Sequence, residues 1–450
     1  MSLRSRLHLP KIAASRFSLI LAATVVVILA LVGLLTLTRE TPVEIVVSVQ
    51  DDARPPGVGD PQFPRIMELL TGVRLEPGNE AAELLNGDGT YPVLWRDLRS
   101  ARRSITVQMY YSLPSSVADT LHAILSERAR AGVQVYLLLD AFGSQDLSDE
   151  WRETLAASGV RLQLLRPLHW YTLHKAANRS HVRVVVVDGR IGYTGGFGLA
   201  DYWLGAGRAD GQWRDTNVRF TGPAVHALQA AFAIGWAEAT GVLLTGPLFY
   251  PELEAATDSS RGAEMQPVGR AGLLFTQPTE GSTEAERFLA LTIAGARQRL
   301  WIANSYFVPS DDFRRMLEAA AKRGVDVRIL TVGERTDVKT TRWAGRARYE
   351  SLLASGVRIY EYEPTMMHAK TIVADGVFGT IGTINFDNRS LAFNNESSLV
   401  VLDPAFAQRM EASFQADLRH SKEIRLEEFQ QRGLGDRLLE LGATLLSRLL

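Results

Sequence analysis

The sequence predicts an α/β protein of two similar halves, preceded by one membrane-spanning helix. Three observations lead to this prediction. An uncharged apolar stretch lies near the N-terminus. In the rest of the chain, short β-rich runs alternate with amphipathic helical stretches, with glycine near the crossovers. A pattern of His, a basic residue, Asp and Gly then occurs twice, once in each half.

The composition is that of a folded globular protein. The chain has 450 residues, 46% of them hydrophobic and 22% charged, enough for two or three domains. Its formal net charge of −1 gives no overall positive field, so we expect no nucleic-acid partner. The absence of cysteine excludes disulfides, thiolate metal sites, cysteine nucleophiles and an acylated lipoprotein cysteine.

Residues 17–38 are the predicted membrane anchor. They carry no charge and match the ~20 apolar residues that cross a bilayer. A cleaved signal peptide is the alternative, but the stretch exceeds the usual apolar region of about 7–15 residues and no Ala-x-Ala-like site follows it. Four basic residues precede it and mostly acidic residues follow it, which places residues 1–16 in the cytoplasm and the body outside. Residues 39–65, with Pro and Gly turns, form a linker.

The body divides into two segments with the same succession of elements. Each begins with a β-rich run, residues 104–111 or 299–307, and continues through a Pro-containing loop into an amphipathic helix. Gly132 and Gly324 then lead into apolar runs typical of strands, so we expect a largely parallel sheet in each lobe. A chance likeness of two α/β segments is the alternative. We place the first lobe at residues 66–245 and the second lobe at residues 270–425, with a linker at residues 246–269 between them.

The repeated pattern is the most specific signal in the sequence. Motif one begins at His181 and motif two at His368, and the second residue after each histidine is basic, Arg183 or Lys370. An Asp and then a Gly follow at intervals that are identical in the two copies. On a strand, residues i and i+2 point to the same face, so each His and its basic neighbour should project together. An Asp at i+7 falls on the other face or beyond the strand, which indicates a structural or orienting role. The two aspartates, Asp188 and Asp375, are counted with the histidines and their basic neighbours among the candidate catalytic residues.

Two such His and cation pairs, brought together, suit chemistry on a phosphodiester. A cation holds the non-bridging oxygens, one imidazole attacks phosphorus, and the other protonates the leaving oxygen and then activates the acceptor. An imidazole pKa of about 6.5 suits both directions of proton transfer near neutral pH. We expect neither a metal nor a cofactor, because no carboxylate cluster has the spacing of metal ligands. The symmetric spacing leaves open which histidine attacks.

At these residues the chain resembles the phospholipase D superfamily, whose signature is a doubled H-x-K-x4-D-x6-G pattern. Further stretches are similar to those of the bacterial cardiolipin synthases: Met109-Tyr110-Tyr111, Trp213-Arg214-Asp215-Thr216, Ser305-Tyr306-Phe307-Val308-Pro309 and Asn385-x-Asp387-x-Arg389-Ser390. The resemblance, over about residues 66–425, implies two phospholipase D-like lobes with pseudo-twofold symmetry and the active site between them. It also implies that two phosphatidylglycerols give cardiolipin and glycerol through a phosphohistidine, with His181 as nucleophile and His368 as acid.

The same resemblance implies a carboxylate that orients each histidine. We assign Glu396 to His368 and Asp215 to His181. Small and polar residues after each histidine complete the expected site as orienting or substrate-binding residues. They are Gly195, Gly196, Thr383 and Asn385.

Motif one departs from the family pattern at two positions. Arg183 stands where Lys is usual, and Gly198 stands where the second copy has Asn385. Arg keeps the charge and binds phosphate oxygens in pairs, so activity is expected. A catalytically weak lipid-binding homologue is one alternative. A phospholipase D-type hydrolase is another, because the acceptor, water or a polyol, is all that separates the two reactions.

The ends of the chain bear on its location. Residues 426–450 are predicted to form an amphipathic helix that lies on a membrane surface or docks on the body. Its leucine stripe is Leu438, Leu441, Leu445 and Leu449. His169 and His174, in a loop before motif one, are interpreted as solvated residues or headgroup contacts. The expected partners are membrane phospholipids, above all phosphatidylglycerol, and the expected location is the bacterial inner membrane with the body on the extracytoplasmic side.

Overall fold

The computed structural model describes most of the chain after the N-terminal segment. The described residues are 18–28, 31, 43–48, 54–167, 178–253, 265–279 and 281–446. Residues 18–28 and 31 are helical, while the rest of the predicted span 17–38 lies outside the described residues, as do residues 1–16, His169 and His174. Over the described ranges, no helix combines the length and the apolar character needed to cross a membrane. The transmembrane anchor therefore stays a prediction.

Strands and helices alternate along the body, which confirms the α/β class. The strands are β1 (Glu80–Leu85), β2 (Ser104–Met109), β3 (Gln134–Asp140), β4 (Arg161–Leu165), β5 (Val184–Val187), β6 (Ile191–Gly195), β7 (Trp213–Arg214), β8 (Thr216–Thr221), β9 (Gln266–Pro267), β10 (Arg270–Thr276), β11 (Arg299–Asn304), β12 (Asp326–Val332), β13 (Arg358–Tyr362), β14 (Met366–Met367), β15 (Lys370–Ala374), β16 (Phe378–Gly382), β17 (Glu396–Leu402) and β18 (Ser421–Ile424). The helices are α1 (Phe63–Thr71), α2 (Asn86–Ser100), α3 (Ser116–Arg130), α4 (Asp149–Ala157), α5 (Pro223–Thr240), α6 (Glu284–Gly295), α7 (Asp311–Lys322), α8 (Lys339–Arg346), α9 (Tyr349–Ala354), α10 (Asn388–Ala392), α11 (Pro404–Leu418), α12 (Leu426–Gln430) and α13 (Leu434–Leu446).

Sixteen of these strands form two eight-stranded sheets with a common plan, and β7 pairs with β14. The first has the order β4-β3-β2-β5-β6-β8-β1-β9 and the second β10-β17-β16-β15-β11-β12-β13-β18. Within each sheet, the described parallel neighbours are the crossover strands β2, β3 and β4, or β11, β12 and β13. The other neighbours in both sheets are antiparallel. The expectation of a largely parallel sheet is therefore wrong.

A tight hairpin after each histidine motif explains the difference. Asp188 and Gly189 have φ values of 54° and 67°, and Asp375 and Gly376 have φ values of 53° and 68°. Two successive positive φ values characterise a type I′ turn, which matches the twist of antiparallel strands and favours Asp-Gly. Each motif strand therefore turns back on itself, as β5 with β6 and β15 with β16, instead of leading into a crossover helix.

The two sheets share a buried core. Val186 and Phe220 of the first sheet belong to the same apolar cluster as Leu399 and Val401 of the second. Each such side chain contributes about 1.5–3 kcal/mol when it leaves water. Further clusters fill the outer layers of the two lobes. The shared core fixes the strands that carry the two motifs relative to each other.

Two predicted linkers contain ordered elements. α1 begins inside the stretch 39–65 and continues past the predicted lobe boundary at residue 66. Its side chains Phe63 and Met67 pack in the core of the second lobe with Phe288. β9, inside the predicted linker 246–269, pairs with β1 of the first sheet. The chain on either side of the first lobe is thus part of the folded body.

The C-terminal helix α13 docks on the second lobe. Glu440 is 2% exposed and forms ion pairs with Arg346 and Arg432. Three leucines on the helix surface are 63–79% exposed, Leu434, Leu438 and Leu441. The described part of the helix therefore combines a docked face with an exposed apolar ridge. Leu449 lies outside the described residues, and contact with a membrane surface stays a prediction.

Candidate active site

Chain segments that cross between the lobes hold the two histidines. Ser180 forms a parallel bridge with Asn395, and the His181 N–H donates to the Asn395 carbonyl oxygen over 2.9 Å. In the same way β14 pairs with β7, and the His368 N–H donates to the Arg214 carbonyl oxygen over 2.7 Å. Each histidine therefore lies beside the segment that immediately precedes a carboxylate residue of the other lobe.

These crossings determine which carboxylate reaches which histidine. His181 Nδ1 lies 2.9 Å from Glu396 Oε2, and His368 Nδ1 lies 2.8 Å from Asp215 Oδ2. The sequence-based assignment of Glu396 to His368 and of Asp215 to His181 is wrong. The partners are exchanged because each carboxylate directly follows the segment that pairs with the other lobe.

Both histidine and carboxylate pairs are buried, so the hydrogen bond between the two side chains decides which imidazole nitrogen carries the proton. The four residues are between 0% and 7% exposed. An ionised carboxylate only accepts hydrogen bonds, so an imidazole that pairs with one carries its proton on Nδ1 and donates it. Nε2 of each neutral imidazole then carries a lone pair at the other end of the ring. A lone pair at that atom can attack an electrophile or take up a proton.

The basic residue of each motif lies against its own histidine. Lys370 Nζ donates to the His368 carbonyl oxygen over 2.7 Å and lies 3.2 Å from His368 Nε2. Arg183 Nη1 donates to the His181 carbonyl oxygen over 3.0 Å, and its Nε donates to the Phe197 carbonyl oxygen over 2.8 Å. Arg183 thus makes the same backbone contact in motif one that Lys370 makes in motif two.

Burial and positive charge keep both imidazoles neutral near pH 7. Burial, together with the charges of Arg183 and Lys370, lowers the pKa of His181 well below its usual value. Burial and the charge of Lys370 lower the pKa of His368 to about 4, although Asp215 opposes them. Burial also lowers the pKa of Lys370 to about 7. Both imidazoles therefore keep a lone pair on Nε2 at neutral pH, and that of His368 faces Lys370 Nζ.

The two carboxylates have unequal surroundings. Burial raises the pKa of Glu396 to about 7, even though Ser390 and Thr383 donate their hydroxyl hydrogens to it. Burial also acts to raise the pKa of Asp215, but the interaction with His368, the charge of Lys370 and the hydrogen bond from Trp203 outweigh it, and that pKa lies below its usual value. The two histidine and carboxylate pairs are thus chemically different despite their similar geometry.

The motif aspartates tie down the hairpins. Asp188 accepts hydrogen bonds of 2.7–3.2 Å from the backbone N–H groups of residues 102–104, where β2 begins. Asp375 accepts hydrogen bonds of 2.7–2.9 Å from those of residues 297–299, where β11 begins. These contacts support the structural role that strand parity indicates. They do not support a place for either aspartate among the catalytic residues.

The small residues after each histidine lie close to the carboxylates. Thr383 is the hydroxyl donor already described, and a Cβ at Gly196 would lie 2.2 Å from an Asp215 oxygen. Gly195 has a φ of 143°, which favours glycine. Asn385 is 4% exposed, and its Oδ1 has no hydrogen-bond partner within the described part of the chain. Glycine at Gly196 is therefore required by the position of the carboxylate beside it.

Sequence reasoning gave no role to three aromatic residues that contact the histidines. Tyr110 meets His181 edge to face, with ring centroids 5.2 Å apart. Trp213 and Trp203 pack on His368 with centroid distances of 4.9 Å and 5.5 Å. Tyr110 and Trp213 stand in stretches that resemble the family, so those stretches contained a signal. Trp203 stands outside every motif.

A known protein family matches the two parts of the chain that contain the motifs. A family model described as "Cardiolipin synthase, PLD-like domain" matches residues 94–204 and 289–418, more than half of the chain. The chain belongs to this cardiolipin synthase family. It is accordingly an enzyme of the phospholipase D superfamily, of the phosphatidyltransferase class.

Relatives in the cardiolipin synthase family cover most of the chain. A cardiolipin synthase of Geobacillus kaustophilus is 34% identical over 83% of this chain and 72% of that protein. Cardiolipin synthase A of Pseudomonas entomophila is 32% identical over 81% of this chain and 74% of that protein. The fold is similar to the crystal structure of phosphatidylserine synthase from Haemophilus influenzae, with a TM-score of 0.63, 15% identity, and coverage of 86% of this chain and 100% of that one.

Proposed function

We propose that this enzyme is a cardiolipin synthase that moves a phosphatidyl group from one phosphatidylglycerol to the headgroup of a second and releases glycerol. The observation that carries the proposal is the pair of buried imidazoles, each held through Nδ1 by a carboxylate of the other lobe and each beside a cation. The family relationship supports the same reaction.

In the first step, an imidazole Nε2 attacks the phosphorus of the donor lipid. A P–N bond forms while the bond from phosphorus to the glycerol oxygen breaks. The second histidine, protonated in the complex, gives its proton to that oxygen, and glycerol leaves. Lys370 and Arg183 balance the charge on the non-bridging oxygens. Following the family resemblance, His181 is the nucleophile and His368 is the acid.

The substrate itself adjusts the proton donor. The pKa of His368 is about 4 in the free enzyme, where burial and Lys370 oppose its positive charge. A phosphodiester bound beside the imidazole adds a negative charge, which favours the protonated form. We therefore propose that lipid binding and protonation of His368 occur together, with Asp215 stabilising the resulting imidazolium.

In the second step, the acceptor completes the exchange. A headgroup hydroxyl of the second phosphatidylglycerol loses its proton to His368, and its oxygen attacks the phosphorus held on His181. The P–N bond breaks and cardiolipin forms. Two phosphatidylglycerols have then become one cardiolipin and one glycerol, and both histidines have returned to their starting states. With water as the acceptor, the same steps give phosphatidic acid.

We also propose that residues 17–38 anchor the enzyme in the bacterial inner membrane, with the body on the extracytoplasmic side. The uncharged stretch and the basic residues before it support this arrangement. Protease added to spheroplasts should then degrade the body. Protection of the body, with cleavage only after lysis, would place it in the cytoplasm instead.

The reaction is tested by mass spectrometry of lipids after purified full-length protein is incubated with phosphatidylglycerol vesicles. We expect equal amounts of cardiolipin and glycerol from the wild type, and neither product from His181→Ala or His368→Ala. His122→Ala is the matched control, because His122 contacts Thr154 in the first lobe, away from both motifs, and should keep wild-type activity. Phosphatidic acid and glycerol without cardiolipin would identify a hydrolase. No product, with phosphatidylglycerol still bound, would identify a lipid-binding homologue.

A further inference from the structure

Asp215 has a hydrogen-bond donor that belongs to neither motif. Trp203 is 2% exposed and ends a short 3-10 turn. Its indole N–H donates to Asp215 Oδ2 over 2.8 Å, and the same oxygen accepts the Nδ1–H of His368, also over 2.8 Å. The indole ring also meets that imidazole edge to face, with ring centroids 5.5 Å apart. Trp203 therefore contacts both members of this histidine and carboxylate pair.

The second lobe supports its own carboxylate differently. Thr383 directly follows the glycine that ends motif two and donates its hydroxyl to Glu396. The corresponding position of motif one is Gly196, which has no side-chain donor. In the first lobe, the indole of Trp203 supplies the hydrogen bond that Thr383 supplies in the second.

Two glycines of motif one provide the space for this arrangement. A Cβ at Gly196 would lie 2.2 Å from Asp215 Oδ1, and a Cβ at Gly198 would lie 2.6 Å from Trp203 Cη2. Both distances are far inside van der Waals contact. The second lobe carries side chains at both corresponding positions. Glycine at these two positions of motif one therefore leaves the space in which the Trp203 indole reaches the Asp215 carboxylate.

We propose that Trp203 is a positioning residue for His368 that acts through Asp215, with its indole N–H replacing the hydroxyl that the second lobe uses. The inference rests on the paired-histidine reaction proposed above. It adds to that reaction a residue outside both motifs that positions His368. Two donors on one oxygen hold the Asp215 carboxylate in a single orientation. The imidazole is then fixed with its proton on Nδ1 and with Nε2 available to the substrate.

Replacement of Trp203 changes none of the other charged and titratable residues around this pair. Lys370 and Arg183 face His368, while Arg214 and the Tyr91 phenol face Asp215. Loss of the indole N–H removes stabilisation from the Asp215 anion. A less stabilised anion attracts the shared proton more strongly, so the pKa of the pair should rise.

The test uses two replacements in the full-length enzyme. Trp203→Phe keeps an aromatic ring without the donor, and genetic incorporation of benzothienylalanine at position 203 keeps the bicyclic shape without the N–H. We expect kcat with phosphatidylglycerol vesicles to fall about 10- to 100-fold, with a smaller change in KM. The pKa assigned to the His368 and Asp215 pair, read from the pH dependence of kcat/KM and from ¹⁵N-histidine NMR, should rise by about one to two pH units.

Trp301→Phe is the matched control. Trp301, in β11, is 4% exposed and donates its indole N–H over 3.1 Å to Asp326 Oδ2 at the start of β12, so its replacement removes the same kind of bond elsewhere. Its kcat and pH profile should equal those of the wild type. If both Trp203 replacements keep the wild-type kcat and the wild-type pKa of His368, the inference is wrong.

The benzothienylalanine variant decides the outcome if Trp203→Phe does not fold. An inactive wild type would refute the proposed function alone, because the NMR titration of His368 reports the effect of the indole without turnover. An upward shift of that pKa in an inactive protein would still support the contact, and its absence would refute it.

Discussion

Replacing Glu396 by Gln should perturb His181 and leave His368 nearly unchanged. Glu396 follows motif two along the chain, but its carboxylate lies 2.9 Å from the imidazole of motif one. The substitution keeps the shape of the side chain and removes its charge. The effect on the two histidines therefore distinguishes the crossed pairing from a pairing within each lobe.

The expected magnitude follows from the geometry. At 2.9 Å and an effective dielectric constant of about 20, a full charge pair would interact by about 6 kcal/mol, an upper bound. A hydrogen bond to a charged group contributes about 1.5–3 kcal/mol net, which corresponds to a loss of about 10- to 100-fold in kcat. The Gln oxygen also replaces two carboxylate oxygens that serve donors from His181, Thr383 and Ser390. Each buried donor left unpaired costs about 1–3 kcal/mol of stability.

The assay is ¹⁵N NMR of histidine-labelled enzyme at pH 8, where the Glu396 carboxyl, with its pKa of about 7, is mostly ionised. In Glu396→Gln, the Nδ1–H tautomer of His181 should lose population while the signals of His368 stay in place. Asp215→Asn should give the opposite pattern. A change confined to His368 in Glu396→Gln would refute the crossed pairing, and equal changes at both histidines would refute the independence of the two pairs.

Three further predictions concern the motifs. Arg183→Lys should keep kcat within about threefold because Lys can retain the contact with the His181 carbonyl oxygen, whereas Arg183→Met should lower kcat at least 100-fold by removing the cation; vesicle assays compare the two. Asp188→Ala should lower the free energy of unfolding by about 2–4 kcal/mol, measured by thermal melts, because three backbone N–H groups lose their acceptor. Asp188→Asn should lower it by about half as much. Equal melting temperatures of the wild type and the two variants would contradict this. The pKa of His368 is lowered to about 4, so between pH 6.5 and pH 4 the unfolded chain binds a proton that the folded chain does not. The free energy of unfolding should therefore fall by about 3 kcal/mol through His368 as the pH drops from 6.5 to 4. The stability of the wild type relative to His368→Gln should decrease over that interval. A constant difference between the two proteins would contradict the lowered pKa of His368.

The repeat in the sequence was sufficient to find the histidines and their basic neighbours. His181 and His368 share their spacing to Asp and Gly, and the structure gives both the same backbone pairing with the other lobe. The mixed sheet also had a signal in the sequence. Asp188-Gly189 and Asp375-Gly376 are pairs that favour a type I′ hairpin, and a hairpin requires antiparallel strands.

The crossed carboxylates had no such signal. Asp215 and Glu396 each follow a histidine motif of their own lobe, and distance along the chain does not show which lobe a side chain faces. The exchange depends on tertiary pairing, between Ser180 and Asn395 and between β14 and β7. Trp203 was missed for a related reason, because no spacing rule along the chain connects an indole with a carboxylate such as Asp215.

In the proposed reaction, one of the two paired histidines carries the phosphatidyl group. Enzyme mixed with phosphatidylglycerol, quenched at alkaline pH to preserve a P–N bond and analysed by intact-protein and peptide mass spectrometry, tests this claim directly. We expect an increase of one phosphatidyl mass on His181 in the wild type quenched during turnover. The adduct should be absent in His181→Ala, and also in His368→Ala, where the acid that releases glycerol is missing. Cardiolipin formation without an adduct on either histidine would contradict the account.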